Sequence, residues 1–155
     1  MEIRFATTCD VPGIIAILRQ AGTAHHGIRP DLFRPKGQRY SPSQVLGLLN
    51  DSNAPLFVAV EGENVLGYCF CVMEQVQDDP VLCDRTTLCI DDLCVLEGYR
   101  RQGIGTKLYY EILRYAKERG CYNVTLNVWA GNESARKFFA SVGLKPQKIG
   151  MEAIV

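Results

Sequence analysis

The hydrophobic pattern of this chain changes period several times, and the order of those changes limits what it can fold into. Some segments alternate apolar and polar residues, as half-buried strands do, and others repeat apolar residues every three or four positions, as amphipathic helices do. Strands are predicted at residues 2–6, 55–60, 65–74, 86–96, 122–129 and 145–155. Helices are predicted after Asp10 and at residues 41–50, 104–119 and 132–142.

The resulting order, β-α-α-β-β-β-α-β-α-β, is neither a strict strand–helix alternation nor an all-strand pattern. It predicts an α/β fold of the α+β sandwich type, with a mixed sheet and helices on both faces. The chain has 155 residues, which is the usual size of one domain. Because no repeat or linker divides it, residues 1–155 are predicted to form a single domain.

Charge and cysteine content exclude several classes of protein. Lys plus Arg and Asp plus Glu each number 17, so the excess of cations that drives nucleic-acid binding is missing. No apolar run approaches the ~18 residues of a membrane span. The seven cysteines form no CxxC pair and predict no metal site. Buried, reduced thiols in a cytoplasmic protein are the expected explanation.

The segment from Tyr99 to Thr106 joins a predicted strand to a predicted helix and contains Gly103 and Gly105 at the helix start. A helix N-terminus presents unpaired N–H groups and favours an anion, usually a phosphate. The segment matches neither the dinucleotide-binding glycine pattern nor the P-loop. A tight turn that binds no ligand is the alternative interpretation.

Two motifs in this chain resemble those of the GNAT N-acetyltransferase superfamily. Arg100-x-x-Gly103-x-Gly105, after the strand Asp92-Leu93-Cys94-Val95, is similar to the family's acetyl-CoA pyrophosphate loop. The second motif is Asn127-Val128-Trp129 followed by Asn132-x-x-Ala135-x-x-Phe138-Phe139-x-x-x-Gly143-Leu144. The resemblance also extends to the order of elements along the whole chain.

The resemblance implies a mostly antiparallel central sheet of six to seven strands, in which one strand splays from its neighbour to admit the pantetheine arm of acetyl-CoA. It implies an acetyl-CoA-dependent N-acetyltransferase without a metal, in which a small-molecule or protein amine attacks the thioester directly. The resemblance is also compatible with a homodimer. The coenzyme-binding residues implied are Leu93, Cys94, Val95, Arg100, Arg101, Gln102, Gly103, Ile104, Gly105, Thr106, Asn127, Asn132, Ala135 and Phe139.

Direct attack needs a base to neutralise the amine, and the candidates are Asp91 and Asp92. Adjacent strand residues point to opposite faces, so only one acid is expected in the cleft unless a bulge re-aims them. The resemblance favours Asp91. Solvation of a loop, or binding of a cationic acceptor, would also explain these acids. His25 and His26, in a predicted polar loop, are either alternative bases or plain surface residues.

Phe139 departs from the family pattern, which usually has a tyrosine there to protonate the leaving thiolate. The helical spacing predicts that Phe139 faces the sheet. Another group (Tyr40, Tyr99 or a cysteine such as Cys94) could supply the proton, solvent could do so, or the activity is lowered. The same departure motivates the alternative function, a non-catalytic acyl-CoA-binding module with a regulatory or sensory role.

Overall fold

The computed structural model describes residues 1–155 and folds them around one five-stranded sheet. The strands are β1 (Glu2–Phe5), β2 (Leu56–Glu61), β3 (Asn64–Val76), β4 (Arg85–Val95) and β5 (Asn123–Leu126). The helices are α1 (Val11–Ile28), α2 (Pro42–Leu49), α3 (Ile104–Glu118) and α4 (Glu133–Ser141). The strands lie side by side in chain order, antiparallel except for β4 and β5. The predicted mixed, mostly antiparallel sheet is confirmed.

The sheet has fewer strands than the six to seven expected. Residues 145–155, predicted as a final strand, make no backbone hydrogen bond to the sheet, and an ion pair between Arg29 and Glu152 holds this tail against the end of α1. Without a neighbouring strand to pair with, the alternating apolar residues stay exposed. β5 also ends at Leu126 rather than 129, because residues 127–130 leave the sheet and are exposed.

Two hydrophobic cores lie on opposite faces of the sheet, as predicted for helices on both sides. On one face, Val58 and Tyr68 pack against α1 and α2. On the other face, Phe57 and Cys69 pack against α3. Successive strand residues point to opposite faces, so strands covered on both sides need apolar residues at every position. This explains the continuous apolar run of β2.

The first helix is longer than expected. α1 runs to Ile28, and the Arg29 N–H still donates to the His25 carbonyl at 3.0 Å. His25 and His26 therefore lie in the last turn of a helix and not in a loop. The polar composition of this segment reflects the exposed end of the helix rather than a break in it.

None of the four helices combines the length and the apolar character that crossing a membrane requires.

The middle of β4 combines two irregularities that open the sheet. The β3–β4 register passes from Phe70 opposite Asp92 to Cys71 opposite Ile90, which leaves Asp91 as the extra residue of a bulge. The pairing with β5 ends at the same point, since its last pair joins Ile90 and Leu126. From Asp91 onward, β4 therefore has a neighbour on its β3 side only, and a cleft opens on the other side.

Candidate active site

The loop between β4 and α3 presents an uninterrupted run of free backbone donors. No N–H group from Arg100 to Thr106 donates to a protein acceptor, and the first helical bond is from Lys107 N–H to Gly103 C=O at 3.0 Å. Free amides and the partial positive charge of a helix N-terminus favour an anion. The side chains of Arg100 and Arg101 are exposed beside them. This arrangement suits a phosphate group.

The two positions of this loop that carry glycine require it for different structural reasons. Gly103 has φ +79°, a left-handed conformation that residues with a Cβ rarely adopt, and a Cβ there would meet nothing within 4 Å. A Cβ on Gly105 would lie 3.2 Å from Cζ of Phe138 in α4. Sequence analysis placed both glycines together at the start of an anion-binding helix. In the structure Gly103 shapes the turn, whereas Gly105 lets α4 pack closely on α3.

The first carboxylate of the cleft, Asp91, is fully engaged by neighbouring side chains. Arg39 donates two hydrogen bonds to it, from Nε to Oδ2 at 2.9 Å and from Nη2 to Oδ1. The Tyr40 hydroxyl donates to the same Oδ2 at 2.7 Å. Both donors come from the segment between α1 and α2. Asp91 therefore accepts three hydrogen bonds, two of them from a cation, and both of its oxygens are engaged.

The second carboxylate, Asp92, has a different environment. Its Oδ2 accepts a hydrogen bond of 2.7 Å from the hydroxyl of Tyr68, whose side chain is fully buried. Its Oδ1 has no hydrogen-bond partner and keeps contact with solvent. Burial raises the pKa of Asp92 above the ordinary range, against the opposing effects of Tyr68 and of the charges on His25 and Arg39. Asp92 is the carboxylate with a free oxygen and a raised proton affinity.

The bulge in β4 sends both carboxylates to the same side of the sheet. Asp92 bonds to Tyr68, which belongs to the core on the α1 side. Asp91 bonds to Tyr40, which packs against that same core. The sequence expectation allowed two neighbouring acids in one cleft only if a bulge re-aimed them, and the structure contains that bulge.

An aromatic cluster that includes His25 lies near Asp92; we call it the aromatic wall and define it as His25, Phe33 and Trp129. His25 stacks on Phe33 with ring centroids 5.1 Å apart, and Trp129 meets Phe33 edge-on at 5.4 Å. The His26 Nδ1 lies 2.7 Å from the Phe33 carbonyl oxygen. Arg29 lies over the Trp129 ring at 5.8 Å. The wall joins the end of α1 to the segment that follows β5.

The residues predicted from the second motif are only partly brought to the cleft. Asn127 is exposed, and the Asn132 side chain caps α4 by accepting from the Ala135 N–H at 3.2 Å. The prediction that Phe139 faces the sheet is wrong, because Phe138 is the residue that packs on the α3-side core. Phe139 lies half-buried against the Phe138 ring, with centroids 5.0 Å apart. The core-facing side of α4 is formed by Phe138 and Val142.

The cysteines are all unpaired. The expectation that they are buried is confirmed for Cys69 and Cys71 only; Cys89, Cys94 and Cys121 are half-buried, and Cys9 and Cys83 are exposed. Burial raises the pKa of Cys94 to about 11. A thiol that holds its proton so tightly is a poor nucleophile and an equally poor donor to a leaving thiolate. No group of three or more His, Cys, Asp or Glu side chains is placed to hold a metal ion.

Sequence analysis missed Tyr68 and Arg39, which hold the two carboxylates. A signal for Tyr68 exists: a tyrosine in a continuous apolar strand must find a partner for its hydroxyl. No local pattern identifies Arg39, because its contact with Asp91 spans 52 residues of sequence.

The chain is similar to several known proteins. The sequence model of the Acetyltransferase (GNAT) family matches residues 23–144. Among solved structures, a tetramutant of the BH1408 protein from Bacillus halodurans is 31% identical, with a TM-score of 0.95 and coverage of 100% of both chains. The aminoglycoside N-acetyltransferase AAC(6')-Iy, in complex with CoA, shares the fold, with a TM-score of 0.70, 13% identity and coverage of 99% and 98% of the two chains.

Curated relatives match over shorter stretches. N-alpha-acetyltransferase 30 from Schizosaccharomyces pombe is 32% identical over 89 residues, which is 56% of this chain and 55% of the relative. The chain thus spans about half the length of the curated relatives it matches. The family match, however, covers most of the chain, from the last turns of α1 to the end of α4. The protein therefore belongs to the GNAT acetyltransferase family.

Proposed function

We propose that the protein transfers the acetyl group of acetyl-CoA to a primary amine by direct attack, with residues 1–155 acting as one domain. The observation that carries this proposal is the run of free N–H groups from Arg100 to Thr106 beside the open edge of β4. A pyrophosphate can bind to such donors, and an extended arm can lie along an unpaired strand edge. The CoA complex of the AAC(6')-Iy neighbour supports the same coenzyme here.

The residues of this chain fit such a coenzyme. Gly103 shapes the loop, and the N–H groups of Ile104, Gly105 and Thr106 would hold the pyrophosphate. Bound acetyl-CoA would supply the activated acetyl thioester. Because the pairing of β4 with β5 ends at Ile90, the backbone of β4 from Asp91 onward is available to the arm of the coenzyme.

We assign the role of general base to Asp92 rather than to Asp91. Its free Oδ1 and raised pKa suit a group that takes a proton from an ammonium. The neutral amine then forms the C–N bond and the C–S bond breaks. The nitrogen loses its second proton to solvent, and the sulfur leaves with the electron pair and takes up a proton. Asp91 holds Arg39 and Tyr40 in place at the rim of the cleft.

We propose a small cationic amine as the acceptor. Asp92 provides negative charge, whereas the charge of Asp91 is balanced by Arg39, and the partly exposed ring of Trp129 provides a surface on which a cation can rest. The neighbour AAC(6')-Iy is named an aminoglycoside N-acetyltransferase, which supports a small-molecule acceptor of this chemistry.

The contacts of Tyr40 and the burial of Cys94 exclude both as the source of the proton for the leaving thiolate. The hydroxyl of Tyr40 is committed to Asp91, and Cys94 holds its proton too tightly. Tyr99 lies beside the start of α1 and the β2–β3 turn, so we assign this proton to solvent.

The test is coenzyme binding by a variant that distorts the loop. Gly103→Val places a branched side chain at φ +79°, which it tolerates poorly. We expect this variant to lose the thermal stabilisation that acetyl-CoA gives to the wild type by mass action. Gly62→Val is the matched control, since Gly62 in the β2–β3 turn has φ +60° and equally open surroundings. It should lose stability and still bind.

Two results would contradict the proposal. Acetyl-CoA and free CoA could fail to stabilise the wild type at all, or adenosine alone could stabilise it as well as they do. An acceptor panel of amines, followed by release of free thiol, then separates an acetyltransferase from a protein that only binds acyl-CoA.

A further inference from the structure

The open edge of β4 does not present all of its backbone groups to the cleft. In an antiparallel ladder, residues alternate between those that bond to the neighbouring strand and those that face away. The Leu96 N–H donates to the Leu66 carbonyl at 2.8 Å, and the Cys94 carbonyl would lie 3.0 Å from a Cβ on Gly67 of β3. By alternation, the backbone groups of Leu93 and Val95 are those that face the cleft.

One of these cleft-facing groups is already bonded within the protein. Gln20, on α1, donates from Nε2 to the Val95 carbonyl at 3.0 Å. Its Oε1 accepts from the Glu97 N–H at 2.7 Å. Its Nε2 also lies 3.6 Å from Sγ of Cys94. The side-chain amide of Gln20 thus bonds to both Val95 and Glu97. These residues flank Leu96, where β4 ends and the coenzyme loop begins.

We propose that Gln20 is a positioning residue for the coenzyme site. It fixes the segment Val95–Glu97 against α1, and so sets where the free amides from Arg100 onward lie relative to the open edge of β4. It also satisfies the Val95 carbonyl, which leaves the Leu93 backbone and the Val95 N–H for the ligand. This inference rests on the coenzyme site proposed above.

No other side chain makes this connection. Arg100 Nε also donates to the Val95 carbonyl, at the longer distance of 3.5 Å, but it has no bond to Glu97. The α1 side chains in the core on this face, such as Leu18, are apolar and contribute packing alone. A glutamine is suited to the position because it is both donor and acceptor, whereas an acid or an apolar residue of the same length can serve at most one of the two bonds.

The experiment compares Gln20→Met, which removes both bonds at similar size, with Gln20→Glu, which keeps only an acceptor for the Glu97 N–H. Binding of free CoA is measured by calorimetry, and exposure of the Glu97 amide by hydrogen exchange. We expect Gln20→Met to weaken CoA binding about tenfold, as for loss of one to two hydrogen bonds, and to speed exchange at Glu97. Gln20→Glu should keep Glu97 protected and bind CoA with intermediate affinity.

A control and a kinetic measurement exclude a general loss of structure. Thr23→Ala removes a hydroxyl that bonds only to the Arg19 carbonyl of its own helix, and it should leave CoA binding unchanged. The KM for acetyl-CoA should rise in Gln20→Met while kcat at saturation is kept. Unchanged CoA binding in Gln20→Met, with faster exchange at Glu97, would overturn the inference alone. Failure of the wild type to bind CoA would overturn the coenzyme site and this inference together.

Discussion

The two halves of β4 have opposite structural roles. Residues 87–90 pair with β3 on one side and β5 on the other, and Leu88 is fully buried. Residues 92–95 pair with β3 only, Asp91 is the extra residue of the bulge, and all five residues are half-buried. Asp91, Asp92 and the contacts of Gln20 all lie in or next to this second half. The first half of the strand therefore belongs to the core of the fold, and the second half carries the residues of the candidate site.

The difference shows what the bulge at Asp91 accomplishes. A regular strand would direct Asp91 and Asp92 to opposite faces, and a fully paired strand would have no free backbone for a ligand. The bulge and the end of β5 coincide within one residue. Substitutions in the first half should therefore cost stability, and those in the second half should cost function.

The largest effect is expected for Asp92→Asn, which keeps the shape of the side chain and removes its ability to take a proton. We expect turnover to fall about 10²–10⁴-fold, the usual contribution of a positioned base, with little change in CoA binding. Steady-state kinetics with an acceptor amine and calorimetry with CoA measure the two quantities.

Stability serves as the internal control for this variant. The pKa of Asp92 is raised in the folded protein, so the folded state binds more protons than the unfolded one between the two pKa values, and stability falls as pH rises through that window. Asn cannot ionise, so Asp92→Asn should be at least as stable as the wild type at neutral pH. If Asp91→Asn slowed turnover as strongly as Asp92→Asn, the assignment of the base to Asp92 would be wrong.

The second effect belongs to the first half of β4. Leu88 is fully buried in the α3-side core, so Leu88→Ala should cost about 2–5 kcal/mol of unfolding free energy, measured by urea denaturation. Its CoA affinity below the unfolding transition should be unchanged. Leu93→Ala, at a half-buried position in the second half, should cost clearly less. Equal losses at both positions would mean that the two halves do not differ in their contribution to stability.

A smaller effect is expected for Tyr68→Phe, which removes one hydroxyl and keeps the packed ring. The Tyr68 hydrogen bond lowers the pKa of Asp92 against the effect of burial. Without it the pKa of Asp92 rises further, so the acid limb of the kcat/KM profile should move to higher pH. The expected stability cost is about 0.5–1.5 kcal/mol.

Tyr40→Phe is the matched variant for this pH experiment, because the Tyr40 hydroxyl donates to Asp91. Its acid limb should stay close to that of the wild type. An acid limb that moved with Tyr40→Phe and not with Tyr68→Phe would transfer the base role to Asp91.

The sequence predicted the layers of this fold well, because the periodicity of an element reflects which face it buries. It failed where the outcome depends on distant partners. The tail 145–155 has the alternation of a strand, but no strand lies beside it to bond with. His25 has polar neighbours in sequence, yet it lies in a helix and stacks on Phe33. The choice between Asp91 and Asp92 likewise depends on Arg39 and Tyr68, which no local pattern brings together.

The smallest effect is expected for Phe139→Tyr, which restores the hydroxyl that the family pattern has at this position. Phe139 is half-buried and lies against Phe138 rather than in the α3-side core. The added hydroxyl can therefore keep contact with water, and the melting temperature should stay close to that of the wild type. If the ring edge of residue 139 borders the bound thioester, the hydroxyl can protonate the leaving sulfur, and kcat should hold or rise modestly. Melting curves and kcat measured on the same preparation test this. A loss of about 1–3 kcal/mol, the cost of a buried hydroxyl without a partner, would show that residue 139 points into the core and would contradict the face described here.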